Sequence, residues 1–131
     1  MTDRERFRLN VVDVGNRVER PFSVDVTVQK DGEPVFDRTV EIDAADGSKL
    51  GTYRVSAPWM DELARYETTV RASGDSLTLG TDRVAASSDS PLHDLPWLDF
   101  VFVVDESGVS GYVPKYHSRE EARRHANVSR P

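Results

Sequence analysis

The chain has 131 residues, with 17 Lys and Arg against 23 Asp and Glu, a formal net charge of −6 and no cysteine. That length fits one domain, large enough to bury a core without covalent staples. The missing cysteines exclude disulfides, thiolate catalysis and Cys-ligated zinc or iron–sulfur clusters, and the acidic balance argues against nucleic acid or an anionic membrane as partner.

Residues 7–14, FRLNVVDV, carry Phe7, Leu9 and Val11 at period two, with Val12 and Val14 on the other face, and read as a strand. After the polar GNRVERP, the stretch FSVDVTV (22–28) alternates cleanly, with Phe22, Val24, Val26 and Val28 on one face and Ser23, Asp25 and Thr27 on the other. Asp31-Gly32 marks a hairpin turn, because that pair supplies the positive φ a tight turn needs. The return strand presents Phe36, Val40 and Ile42, with Pro34 at its entry, where a missing donor is tolerated. A second turn, DAADGS, leads to a strand with Tyr53, Val55 and Ala57 aligned, which Pro58 ends. ARYETTVRA and LTLGTDRVA read as strands around an SGDS turn. Residues 85–96 are polar, turn-forming and end at Pro96. WLDFVFVV (97–104) is too continuous for a one-sided strand, so it is expected to be covered on both faces. DESG then turns the chain into VSGYVPKY.

The tail differs. Ser118 stands three residues before Glu121, a capping-box spacing, and Glu120 and Arg124 are paired at i, i+4. The helix they predict has almost no apolar face, so it is expected to fray or dock weakly. Short strands joined by turns point to an all-β antiparallel sandwich or barrel of about seven to nine strands. No βαβ alternation, GxGxxG or GxxxxGK[ST] occurs, which excludes doubly wound nucleotide-binding folds.

ELARYETTV (62–70) resembles the acid-x-Ala-x-Tyr-x-Cys pattern of immunoglobulin-like domains, where the tyrosine begins strand F and its hydroxyl anchors the preceding corner. The resemblance gives that role to Tyr66, puts Glu62 in the acidic position and leaves Thr68 where antibody domains have cysteine. More broadly, residues 6–84, with the FSVDVTV strand, the Asp-Gly turn and the acidic turn, resemble the immunoglobulin-like or CARDB-like modules of haloarchaeal cell-surface proteins and lipoproteins. The hairpin FVFVVDESGVSGYV resembles the final hairpin of the same group. The resemblance implies an immunoglobulin-like β-sandwich over residues 1–117, a polar helical or disordered tail over 118–131, and a non-catalytic cell-envelope interaction or structural module without cofactors. Arginine in excess of lysine, abundant aspartate and valine, and Ile42 as the lone isoleucine also fit a salt-adapted proteome. MTDRERFRLN has no apolar h-region, so an extracellular location requires an upstream leader, and a native Met1 favours the cytoplasm.

Two kinds of site follow. The first is a contact surface: Trp59 and Met60 in a loop between strands, and Tyr112 and Tyr116 on the last strand, whose edge is open to a protein partner or to self-association. The second, from a different class, is a small-ligand or metal pocket using His93, Asp94 and His117, with Asp99 as a further carboxylate. No HxH or HExxH spacing brings those ligands together. Asp99 shares a face with Trp97, Val101 and Val103, so it is expected near solvent at the strand entry or paired with an arginine, because an unpaired buried carboxylate is costly. There is no GxSxG elbow for serine hydrolysis.

Overall fold

The computed structural model describes residues 7–72, 74–81, 97–116 and 118–128. Their strands are β1 (Arg8–Asn16), β2 (Phe22–Lys30), β3 (Glu33–Ile42), β4 (Gly51–Val55), β5 (Tyr66–Ala72), β6 (Asp75–Gly80), β7 (Trp97–Asp105), β8 (Gly108–Tyr112) and β9 (Lys115–Tyr116). A 3-10 turn (Pro58–Asp61) links β4 to β5, and helix α1 (Arg119–Val128) closes the described chain. The described residues form an all-β sandwich with a short helix at the end.

One sheet has the order β4-β1-β7-β8, with β9 also on β7, and the other has the order β3-β2-β5-β6. β5, which Tyr66 opens, lies between β2 and β6 in the second sheet. Every strand pairing is antiparallel except β1 with β7, which run parallel. β1 and β7 are remote in sequence, so no hairpin dictates their direction.

The core lies between the sheets. Val24, Val26 and Val28 of β2 meet Leu98, Phe100, Phe102 and Val104 of β7 across it, with Val12, Val14, Ile42 and Val70 filling the rest. β1 corrects the phase read from its sequence. A register shift between Leu9 and Val11 lets Phe7, Leu9, Val12 and Val14 all reach the core, while Val11 pairs with Asp99 outside it. A bulge adds one residue and resets the alternation, so a change of face in the sequence was a bulge in the chain.

β7 is covered on both sides only at its start. Trp97 and Asp99 are buried on the face opposite the core, whereas Val101 and Val103 on that face are half-buried. The cover over Trp97 is α1, whose Ala122 packs with Trp97 and Tyr116 in a small second cluster. Ser118 caps the helix as its spacing predicted, its Oγ accepting from the Glu121 N–H at 3.1 Å. Glu120 and Arg124 lie 3.8 Å apart.

The strand edges are blunted. β3 carries Pro34 and places Arg38 opposite the buried Val26, with its guanidinium 5.6 Å from the Phe36 ring centre. Proline and an inward-facing charge are two devices that discourage a further strand from pairing. On β8, the Val109 N–H donates to the Asp75 carboxylate at 3.1 Å instead of standing open.

Candidate functional site

Among the described residues, the strand directions collect three connections at one end of the sandwich, 17–21, 43–50 and 106–107, with Gly74 beside them at the start of β6. This loop end is organised by Asn16, the last residue of β1, which is fully buried. Its Nδ2 donates to the carbonyls of Arg20 and Asp43, both at 3.0 Å, and its Oδ1 accepts from the Val18 N–H at 2.8 Å. The Ala45 N–H donates to the Val18 carbonyl at 2.8 Å, and the Arg17 N–H to the Val104 carbonyl at 3.0 Å. One neutral amide therefore uses both donors and its acceptor to fix two loops to each other and to the sheet. Gly51 is required beside it, because a Cβ there would collide with the Asp43 carbonyl oxygen.

Above this anchor Arg17, Glu19, Arg20 and Glu106 are exposed. With Val18 and Asp105 they line an open groove of about 470 Å³. Arg20 and Glu106 approach to 3.4 Å across it. Asp105 is committed to its own turn, accepting from the Ser107 hydroxyl at 2.6 Å and the Ser107 N–H at 2.8 Å, and the hydroxyl bond leads the groups that hold its carboxyl below the usual range. The groove is thus bounded by backbone held through the Asn16 hydrogen bonds, and its rim carries charge of both signs.

The opposite end carries two tyrosine anchors. The Tyr66 hydroxyl donates within reach of the Trp59 carbonyl at 2.8 Å and the Glu62 carbonyl at 2.5 Å. The hydroxyl thus pins the corner before β5 to the strand it enters, and burial pushes the phenol's pKa up. Glu62 itself is ion-paired with Lys30. The second anchor is Tyr116, whose hydroxyl donates to Asp99 Oδ2 at 2.9 Å, while Asn10 Nδ2 donates to Asp99 Oδ1 at 3.0 Å.

Asp99 was expected near solvent or beside an arginine. It is instead 3% exposed, and its side-chain partners Asn10 and Tyr116 are neutral donors. The nearby guanidinium, Arg54, is engaged by Asp13 through two bonds of 2.6 and 2.7 Å. Burial raises the Asp99 carboxyl above its ordinary range, the Asn10 and Tyr116 hydrogen bonds oppose that rise, and the Asp13 charge reinforces it.

Of the contact residues read from the sequence, only Tyr112 is well exposed, at 57%. Met60 is buried, with its Sδ accepting the Ala57 N–H, and Tyr116 is buried on Asp99, so both are corrected from contact surface to core. Trp59 is half-buried, packed on the core with its ring 6.4 Å from that of Tyr66. His93, Asp94 and His117, the ligands of the alternative pocket, lie outside the described residues. Among the described residues, no group of three or more His, Asp or Glu side chains is placed to hold a metal ion. None of the described helices is long and apolar enough to cross a membrane.

Sequence reasoning missed Asn16. Its one outward sign is an asparagine ending an apolar strand just before a polar connection, which also describes an ordinary turn residue.

No family model matches the chain, and no curated protein matches it. A solved structure described as "Trapped Toxin" is similar over 82% of this chain at 9% identity with a TM-score of 0.30, and the chain spans 23% of that structure's length. That score is too low to indicate a shared fold.

Proposed function

We propose that the chain is a non-catalytic β-sandwich interaction module that meets a protein partner through its loop end. The observation that carries this reading is the Asn16 anchor, which fixes the loops beneath an exposed rim of Arg17, Glu19, Arg20 and Glu106. Ordering a loop before binding removes part of the entropy cost of association. Loops clustered at one end of a sandwich are also where immunoglobulin-like variable domains bind. The reading stands on this fold-level analogy as well as on the geometry. It moves the contact away from Trp59, Met60 and Tyr116, whose side chains are wholly or largely inside, and away from the blunted edges of β3 and β8. The resemblance to envelope modules of salt-adapted organisms fits a partner held at a surface, where a mixed-charge rim supplies register and selectivity.

The test is a photo-crosslinking residue placed at Arg20 and, separately, at Tyr112, in cells of the source organism. The expected result is one protein adduct from position 20, lost on Glu106→Arg, and none from position 112. Adducts from position 112 alone would move the contact to the sheet face. Adducts from neither would remove the interaction reading.

A further inference from the structure

The β9–α1 tail is attached to the sandwich by few interactions, and one of them titrates. Among the described side chains, Ala122 is the one residue of α1 that is fully buried. β9 pairs with β7 at Trp97 and Leu98 alone. The Asp99 N–H donates to the Pro114 carbonyl at 3.1 Å just before β9, and the Asp99 carboxylate receives the Tyr116 hydroxyl within it. Asp99 thus holds the tail from both its backbone and its side chain.

Among the described residues, the groups around that carboxylate come from four strands and from α1. β1 supplies Asn10 as a donor and Asp13 as a charge, β4 supplies Arg54, β9 supplies Tyr116, and β8 places Tyr112 near Tyr116. Arg54 is bound bidentately by Asp13, so that pair has no net charge and, among the described residues, the ionised cluster carries one uncompensated negative charge. Arg8 lies over the outer ring of Trp97, 5.9 Å from its centre, and donates to the Asp61 carbonyl instead. From α1, Ala122 reaches the cluster, and the half-buried Glu121 adds no positive charge.

A neutral Asp99 keeps both hydrogen bonds. One oxygen still accepts from Asn10, and the other becomes a hydroxyl that donates to the Tyr116 oxygen. An ionised Asp99 keeps the same bonds but buries a charge. Releasing the tail returns the carboxylate to water and removes that penalty.

We propose that Asp99 is a protonation-gated latch on the β9–α1 tail, holding it tightly when the carboxyl is neutral and loosening it when the carboxyl ionises. The docked carboxyl titrates above the ordinary value of 3.8, so the latch is strongest below that value and weakens as pH climbs through the raised one. Each unit by which the docked pKa exceeds the released one changes the docking equilibrium by about tenfold. Loosening would uncover the Trp97–Leu98 edge of β7.

The test is amide hydrogen exchange on the whole chain between pH 4 and pH 7, corrected for the intrinsic exchange rate. The Tyr116 and Ala122 amides report the tail, and Val26 and Val70 report the core. Tail protection is expected to fall several-fold as pH rises, with Val26 and Val70 better protected than the tail at every pH because the tail opens without the core. In Asp99→Asn the pH dependence should vanish. If that variant fails to fold, Tyr116→Phe serves, because losing one donor to the anion should steepen the dependence. A tail response that survives in Asp99→Asn, an unchanged response in Tyr116→Phe, or tail amides as well protected as the core would overturn the latch.

Discussion

The two ends of the sandwich are both held by buried polar side chains, but the chemistry of the anchors differs. At the loop end Asn16 is neutral, and each of its polar atoms meets a backbone partner of opposite character. At the tail end Tyr66 anchors on carbonyls, but Tyr116 anchors on a carboxylate. An amide fixed on backbone gives the same restraint at every pH. A phenol fixed on a buried acid gives a restraint that depends on protonation. The fold has placed its pH-insensitive anchor under the proposed binding loops and its titrating anchor under a detachable tail.

The largest expected effect comes from breaking the loop end. Asn16→Ala leaves two carbonyls and one N–H without their partner, and a loss of about 3 kcal/mol is expected in urea denaturation. Hydrogen exchange should show the loss concentrated in residues 17–21 and 43–45, with the tail amides unchanged. Asn16→Asp is the sharper variant. It keeps the acceptor for Val18 but sets a charge against two carbonyls, so it should be as damaging at neutral pH and partly recover in acid.

Tyr66→Phe tests the neutral anchor at the other end. The hydroxyl leaves the Trp59 and Glu62 carbonyls, and about 1–2 kcal/mol is expected to be lost. The loss should be independent of pH between 4 and 8, in contrast to the tail response assigned to Asp99. A pH-dependent loss would mean that the two tyrosine anchors are coupled and the comparison is drawn in the wrong place.

These residues show what could be read in advance. The strand alternation of 22–28 carried the correct face assignment because one side is buried and the period is two. Tyr66 was legible because its corner is local: donor and acceptors lie within seven residues. Asn16 and Asp99 were not, because their meaning rests on partners 27 and 89 residues away. The phase change in β1 was visible, but a bulge and a turn of the face look alike until Val11 is paired with Asp99. Met60 was misplaced because an apolar residue after Pro-Trp fits either a loop tip or a 3-10 turn folded back onto the core.

Thr68 lies between the two ends and serves as the internal control. It is fully buried, and its Oγ1 has no hydrogen-bond partner among the described residues. Thr68→Val replaces an unpaired hydroxyl with a methyl of similar volume. A gain of about 1 kcal/mol is expected, measured as a rise in the urea midpoint with unchanged slope. Because the residue belongs to neither anchor, the gain should appear at core amides that exchange by global unfolding and leave amides that open locally in the loops and the tail unchanged. A rise at one end as well would show that this end is coupled to the core.

The smallest effect on stability is expected where the effect on binding should be greatest. The Arg20 and Glu106 side chains are 57% and 73% exposed at 3.4 Å, and solvent screens such a pair to at most about 0.5 kcal/mol. Arg20→Glu with Glu106→Arg restores the pair with its sense reversed, so the fold should be unchanged in denaturation and in exchange. A partner that reads charge at this rim would still be repelled at both positions. Lost crosslinking from a photo-crosslinking residue at position 19 with unchanged stability would therefore assign the rim to recognition, whereas lost stability would show that the pair helps to hold the loops, a task the geometry gives to Asn16 and the backbone bonds beside it.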